Sequence, residues 1–119
     1  MGTMLVLPER RPARQHPRYR YDGHILVSYR QDERQRLLHG RCSSISEGGL
    51  GATVDGHLQP DQVVNIQFSV ERAPVQVRIN ARVRYNAGFN HGFEFIAPNP
   101  TYLQAIRNSL RRQEARASA

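Results

Sequence analysis

The sequence predicts a small, mostly β domain closed by one C-terminal helix, with the strands arranged as an antiparallel barrel or sandwich. Three observations carry this. From Gly23 to Ile96 hydrophobicity alternates with period two, the side-chain period of a strand. Turn signals cut that alternation into six short runs with no helical stretch between them, which excludes parallel neighbours because those need long crossovers. After Asn99 the apolar spacing becomes that of a helix.

The elements follow in order. Residues 1–9 show no periodicity and are expected to form a flexible arm. Residues 10–20 hold Arg10, Arg11, Arg14, Arg18 and Arg20 and no acid, and Pro12 and Pro17 bar a helix, so this is expected to be an extended, strongly positive strip. Tyr19 and Tyr21 flank Arg20, either to stack on a base or to anchor the strip. Ile25, Val27 and Tyr29 mark a first strand, and a weaker run from Gln35 to Ser43 a second. Leu50, Ala52 and Val54 mark a third, and Val64, Ile66, Phe68 and Val70 a fourth. In Val75–Tyr85, Val75, Val77, Ile79, Ala81, Val83 and Tyr85 alternate with polar residues, giving one core face and one wet, basic face. Phe93 and Phe95 make the last strand. Turns are expected at Gln31–Glu33, Gly48-Gly49, Asp55-Gly56, Pro60-Asp61, Ala73-Pro74 and Asn86–Asn90. Asn99 can cap a helix whose first position is Pro100. Leu103, Ile106 and Leu110 form one narrow apolar stripe, and Arg107, Arg111 and Arg112 suit the helix's C-terminal end. Residues 113–119 are expected to fray, leaving 10–112 as a single domain.

Composition narrows the function. The chain has 119 residues, room for one modest core. Seventeen basic residues, all arginine, stand against ten acids, a net charge of +7 that calls for an anionic partner. Arginine's planar fork grips phosphate or a guanine edge through two parallel hydrogen bonds. The apolar run Met4–Leu7 is too short for a membrane span or a signal peptide, so a cytoplasmic protein without membrane insertion is expected. Cys42 is the one cysteine and is expected to be a buried thiol; the five histidines lack metal-ligand spacing, so no metal is expected. The serines have no GxSxG around them, and no spacing sets Glu47 and Glu94 together as an acid–base pair. No enzyme and no cofactor are expected. Arg78, Arg82 and Arg84 are expected to be a solvated strand face.

Two features remain. Arg14 and Arg18 form an RxxxR pair; in an extended chain such residues stand ~13 Å apart, enough to bracket one bulky anion. Ser44-Ile45-Ser46-Glu47-Gly48-Gly49 places compact hydroxyls beside a turn whose backbone a ligand can approach closely. In this order, with 25 residues between Arg18 and Ser44, a late run Arg82–Tyr85, Gly92-Phe93-Glu94-Phe95 and a closing helix, the chain resembles the PilZ domain family over residues 10–112.

The resemblance implies a six-stranded antiparallel PilZ-like barrel that binds the bacterial second messenger cyclic di-GMP. It implies that Arg14 and Arg18 clamp phosphate and guanine edges and that Ser44, Ser46 and Gly49 lie against a guanine, with Arg10, Arg11 and Gly48 as secondary contacts. Guanine O6 and N7 are preferred partners of an arginine fork, so residue chemistry and resemblance agree. Ligand binding would order the arm and change the surface offered to a protein partner. The chain departs from the family's [D/N]xSxxG at Ser44, and residues 40–49 contain no Asp or Asn. Losing a charge-assisted bond costs about 1.5–3 kcal/mol, roughly ten- to a hundred-fold in affinity. Two other readings compete: an adaptor that binds proteins without cyclic di-GMP and, behind it, a nucleic-acid-binding barrel.

Overall fold

The structure, a computed structural model, describes residues 18–70 and 76–118, with side chains as far as Arg112. The expectations for the arm, for Arg10, Arg11 and Arg14, and for the Ala73-Pro74 turn lie outside the described residues.

Alternating apolar residues put six strands on one core. They are β1 (Tyr19–Gln31), β2 (Arg34–Ile45), β3 (Gly49–Val54), β4 (Val63–Ser69), β5 (Gln76–Ala87) and β6 (Asn90–Phe95). They close into a barrel in the order β1-β2-β3-β6-β5-β4, every neighbour antiparallel. Closure removes the sheet edges that an open meander of this length would leave unpaired. Inward positions are those the alternation marks: Ile25 and Val27, Leu50 and Val54, Val64, Ile66 and Phe68, Val77 to Val83, Phe93 and Phe95 are all buried. Phe68 and Phe95 stack across the interior with ring centroids 6.4 Å apart.

Helix α1 (Pro100–Ser118) then packs on the barrel. The Asn99 side chain accepts the Thr101 N–H at 2.8 Å, and its carbonyl accepts the Leu103 N–H at 2.9 Å, as a cap requires. Ile106 and Leu110 are buried, and Leu103 is half-buried. The backbone stays helical through the stretch expected to fray, where Gln113, Glu114, Ala115, Arg116 and Ala117 are mostly strong helix formers.

Two departures from the alternation have separate causes. β1 begins at Tyr19, four residues ahead of the clear alternation, because Tyr19 and Tyr21 pack on the core. Tyr85, expected inside, is 50% exposed. A register shift between Val83 and Tyr85 turns it outward, and its ring lies over Gly92, where an added Cβ would come within 2.1 Å of it. His91 is fully buried: its Nε2 accepts the Leu58 N–H at 3.2 Å while Nδ1 donates to the Phe89 carbonyl at 2.9 Å, the neutral tautomer with both nitrogens used.

The β1–β2 turn carries a testable strain. Asp32 (φ 54°) and Glu33 (φ 63°) both occupy the left-handed region, as a two-residue hairpin turn demands, although neither is glycine. Such a residue costs about 1–2 kcal/mol in that region. Glu33→Gly is expected to raise unfolding stability by about 1 kcal/mol in urea denaturation; a loss of stability would refute the turn geometry.

Candidate functional site

Strand pairing assembles the site. Tyr19 lies opposite Ile45 and Arg20 opposite Ser44, so the entry of β1 runs alongside the exit of β2. Arg18 thereby meets Ser44, 26 positions away: its Nη1 donates to the serine Oγ at 3.1 Å. Gly51 on β3 is the register partner of Ser44. A Cβ there would stand 3.1 Å from Ser44 Oγ and 3.4 Å from Arg18 Nη1. The guanidinium therefore lies beside bare β3 backbone. Gly51 escaped sequence reading; the signal was the pair Gly49-x-Gly51, which strips two successive outward side chains from one strand.

The Ser46–Gly49 turn is a closed unit. The Ser46 N–H donates to the Gly49 carbonyl at 2.8 Å and the Gly48 N–H to Ser46 Oγ at 3.1 Å. The Gly48 carbonyl accepts the Phe95 N–H at 2.8 Å. Gly49 faces Glu94, and a Cβ on it would fall 2.0 Å from the Phe93 carbonyl oxygen, a position only glycine can hold. Ser46 is 4% exposed. Its hydroxyl accepts the Gly48 N–H and so shapes the turn. Glu47 leaves the turn and accepts Arg107 Nε at 2.8 Å, fastening α1 to the motif. Glu94 pairs instead with Arg84 at 3.5 Å, so the two glutamates have separate arginine partners.

A groove of about 610 Å³ opens beside the Arg18–Ser44 contact on the outer face of β1, β2 and β3. Arg20, Tyr21, Asp22, Arg41, Cys42, Ser43 and Thr53 line it. Tyr21 donates its hydroxyl to the Ser69 carbonyl, an anchoring role. Asp22 and Arg41 face each other across the groove wall at 2.8 Å; neither was singled out by spacing. Cys42 forms part of the floor. Burial pushes its thiol up to about 12, against a backbone hydrogen bond from Ser44 and the Arg18 charge, which pull it down; Asp22 adds to the rise. The protonated Sγ donates to the Ser44 carbonyl at 3.2 Å. It is a protonated, unreactive thiol. Of the expected contacts, Arg18, Ser44 and the Gly48-Gly49 turn thus share one corner of the barrel, while Arg10, Arg11 and Arg14 lie outside the described residues. Among the described residues no three metal-ligating side chains converge, and no helix is long and apolar enough to cross a membrane.

Residues 12–112 match the family model of the PilZ domain. The chain belongs to the PilZ family. PilZ domains are binding and adaptor domains, not enzymes. The fold is similar to the inhibitor of motility MotI (DgrA) of Bacillus subtilis, with a TM-score of 0.66 and 20% identity over 86% of this chain and 52% of that one. The chain thus spans about half the length of MotI. It is similar to the PilZ domain of CeSA from a cellulose-synthesizing bacterium, at a TM-score of 0.62 and 15% identity, covering 82% of this chain and 98% of that one. It is also similar to the PilZ domain with c-di-GMP of YcgR from Escherichia coli, at 0.63 and 17%, covering 88% and 97%. These likenesses establish a shared barrel. No curated protein matches the chain significantly in sequence.

The Cys42 thiol makes this PilZ barrel sensitive to base. An unfolded thiol ionises near 9 and the folded one near 12, so between those values the unfolded chain binds fewer protons and stability falls as pH rises. The fall from this group approaches at most about 1.4 kcal/mol per pH unit. Chemical denaturation at pH 8, 9, 10 and 11 is expected to show a steeper decline for the wild type than for Cys42→Ala; parallel curves would refute the burial of the thiol.

Proposed function

We propose that this PilZ domain is a receptor for cyclic di-GMP, with Arg14 and Arg18 as its clamp and the Ser44–Gly49 turn as its seat. One observation carries the reading: Arg18 and Ser44, from the two halves of the motif, are in hydrogen-bond contact beside the side-chain-free backbone of Gly51. A ligand with two phosphates and two guanines suits such a corner. Its phosphates answer the excess of arginine, and its guanines present O6 and N7 to guanidinium forks and flat faces to guanidinium planes. Arg14 joins Arg18 on the ligand, with Arg10 and Arg11 adding charge. Ser44 accepts a single bond where the family carboxylate accepts two, which sets a weaker affinity rather than a different ligand. Docking the arginine strip of residues 10–18 against the barrel then changes the surface shown to a downstream protein, with residues 10–112 acting as one module.

Ser44 supports a second reading: a PilZ adaptor that recognises its protein partner without the messenger.

Isothermal titration separates the two. The receptor reading expects heat with cyclic di-GMP, at least a ten-fold loss in Arg14→Ala and in Arg18→Ala, and no change in Arg116→Ala. Its salt dependence should be shallow, since the ligand carries only two charges, unlike that of a nucleic-acid barrel. A silent wild type beside a Ser44→Asp variant that binds would establish the adaptor reading. Equal titration of all three arginine variants would overturn the clamp.

A further inference from the structure

We infer that Asp22 and Arg41 form a guanine-reading pair, in which Asp22 supplies from β1 the carboxylate that the motif on β2 lacks at position 44. The inference rests on the receptor reading above and names a specificity element within that same site.

The backbone brings the pair there. Between the register partners Arg20↔Ser44 and Gly23↔Cys42, β1 holds two residues where β2 holds one, so Tyr21 and Asp22 together oppose Ser43. This is a β-bulge, and bulges re-aim side chains beside functional sites. Tyr21 turns toward the core, and Asp22 is left on the outer face beside Arg41. Both line the groove together with Arg20 and Ser43, the first the register partner of Ser44 and the second its chain neighbour. Asp22 thus stands two residues along β1 from the level of the Arg18–Ser44 corner.

Stability does not account for the pair. The side chains are 64% and 78% exposed, and ion pairs so exposed contribute little to folding. Their chemistry is better matched to a ligand. The pairing uses one aspartate oxygen and the arginine Nε. The second carboxylate oxygen, the other lone pair of the first and the arginine's terminal nitrogens are left to meet a base. Guanine alone among the common bases presents neighbouring N1–H and N2–H donors next to an O6 acceptor. A carboxylate accepts the two donors side by side, and an adjacent guanidinium donates to O6 or N7. Adenine offers no such donor pair. The role the family assigns to the first motif position, a negative acceptor against a guanine, is met here from the neighbouring strand.

The test is calorimetry with two rings, cyclic di-GMP and cyclic di-IMP, which lacks the 2-amino group. Three variants are compared with the wild type: Asp22→Asn, Asp22→Asn with Ser44→Asp, and Arg18→Ala. Asp22→Asn is expected to weaken cyclic di-GMP about ten-fold, to weaken cyclic di-IMP less, and so to compress the preference between the rings, with an unchanged melting temperature. Adding Ser44→Asp is expected to restore both affinity and preference. If Asp22→Asn binds both rings as the wild type does while Arg18→Ala binds neither, the guanine-reading pair is wrong and the receptor reading stands. A wild type that titrates with neither ring overturns both.

Discussion

The antiparallel pairing of the first strand with the end of the second is the constraint on which the site depends. Tyr19 opposite Ile45 fixes where the chain enters the barrel, and every later contact of Arg18 follows from it. That pairing is itself held from two sides, because β1 also pairs with β4 through Ile25 to Ser28 and closes the barrel. With both edges of β1 committed, slipping it by one residue would send Ile25 and Val27 into solvent and drive their polar neighbours inward. The cost of exposing two fully buried aliphatic side chains is about 3–6 kcal/mol, a large part of a small domain's stability. A ligand corner assembled from distant motifs can be placed this reproducibly because the core, and not the corner itself, sets the register.

What the sequence showed and what it hid divide along the same physical line. Period two is a property of a single strand, so inward residues such as Val64, Ile66, Phe68 and Val77 to Val83 could be read directly. The Asn99 cap is equally local, a side chain answering its own helix's N–H groups. Bulges limit such reading. The one near Tyr85 turns a residue expected inside to the outside. At Tyr21 and Asp22 the alternation of β1 continues, but the extra residue shifts which part of β2 they meet, and Asp22 lies beside Arg41, 19 positions away. Nothing in the linear order of Asp22, Arg41 and Gly51 marks them as neighbours of Arg18. Ser46 is bound locally, its hydroxyl accepting the Gly48 N–H within the turn it sits in.

The arginine excess is also less uniform than composition suggests. Arg107 and Arg84 are matched with Glu47 and Glu94, one tying the helix to the motif turn and the other lying across the β5–β6 face. These are partly exposed pairs that hold geometry more than they add stability. The five arginines of residues 10–20 have no acid among them in sequence, so positive charge is concentrated ahead of the first strand. The field that attracts an anion therefore comes mainly from one end of the chain, and the barrel provides the surface on which it acts.

That division bears on affinity. A binding corner gains when its parts are placed before the ligand arrives, because each long side chain immobilised on binding costs about 0.5–1.5 kcal/mol. Here the turn is already fixed by hydrogen bonds of the Ser46, Gly48, Gly49 and Phe95 backbone groups, and its carboxylate is fastened to α1. Arg18 is already seated on Ser44, beside Gly51, where a Cβ would stand 3.1 Å from the serine Oγ and 3.4 Å from Arg18 Nη1. The hydroxyl accepts from the guanidinium and so orients it beside the β3 backbone. An arginine placed in advance is the kind of part that gains from this arithmetic, and its placement here comes from a serine and a glycine that are register partners on neighbouring strands.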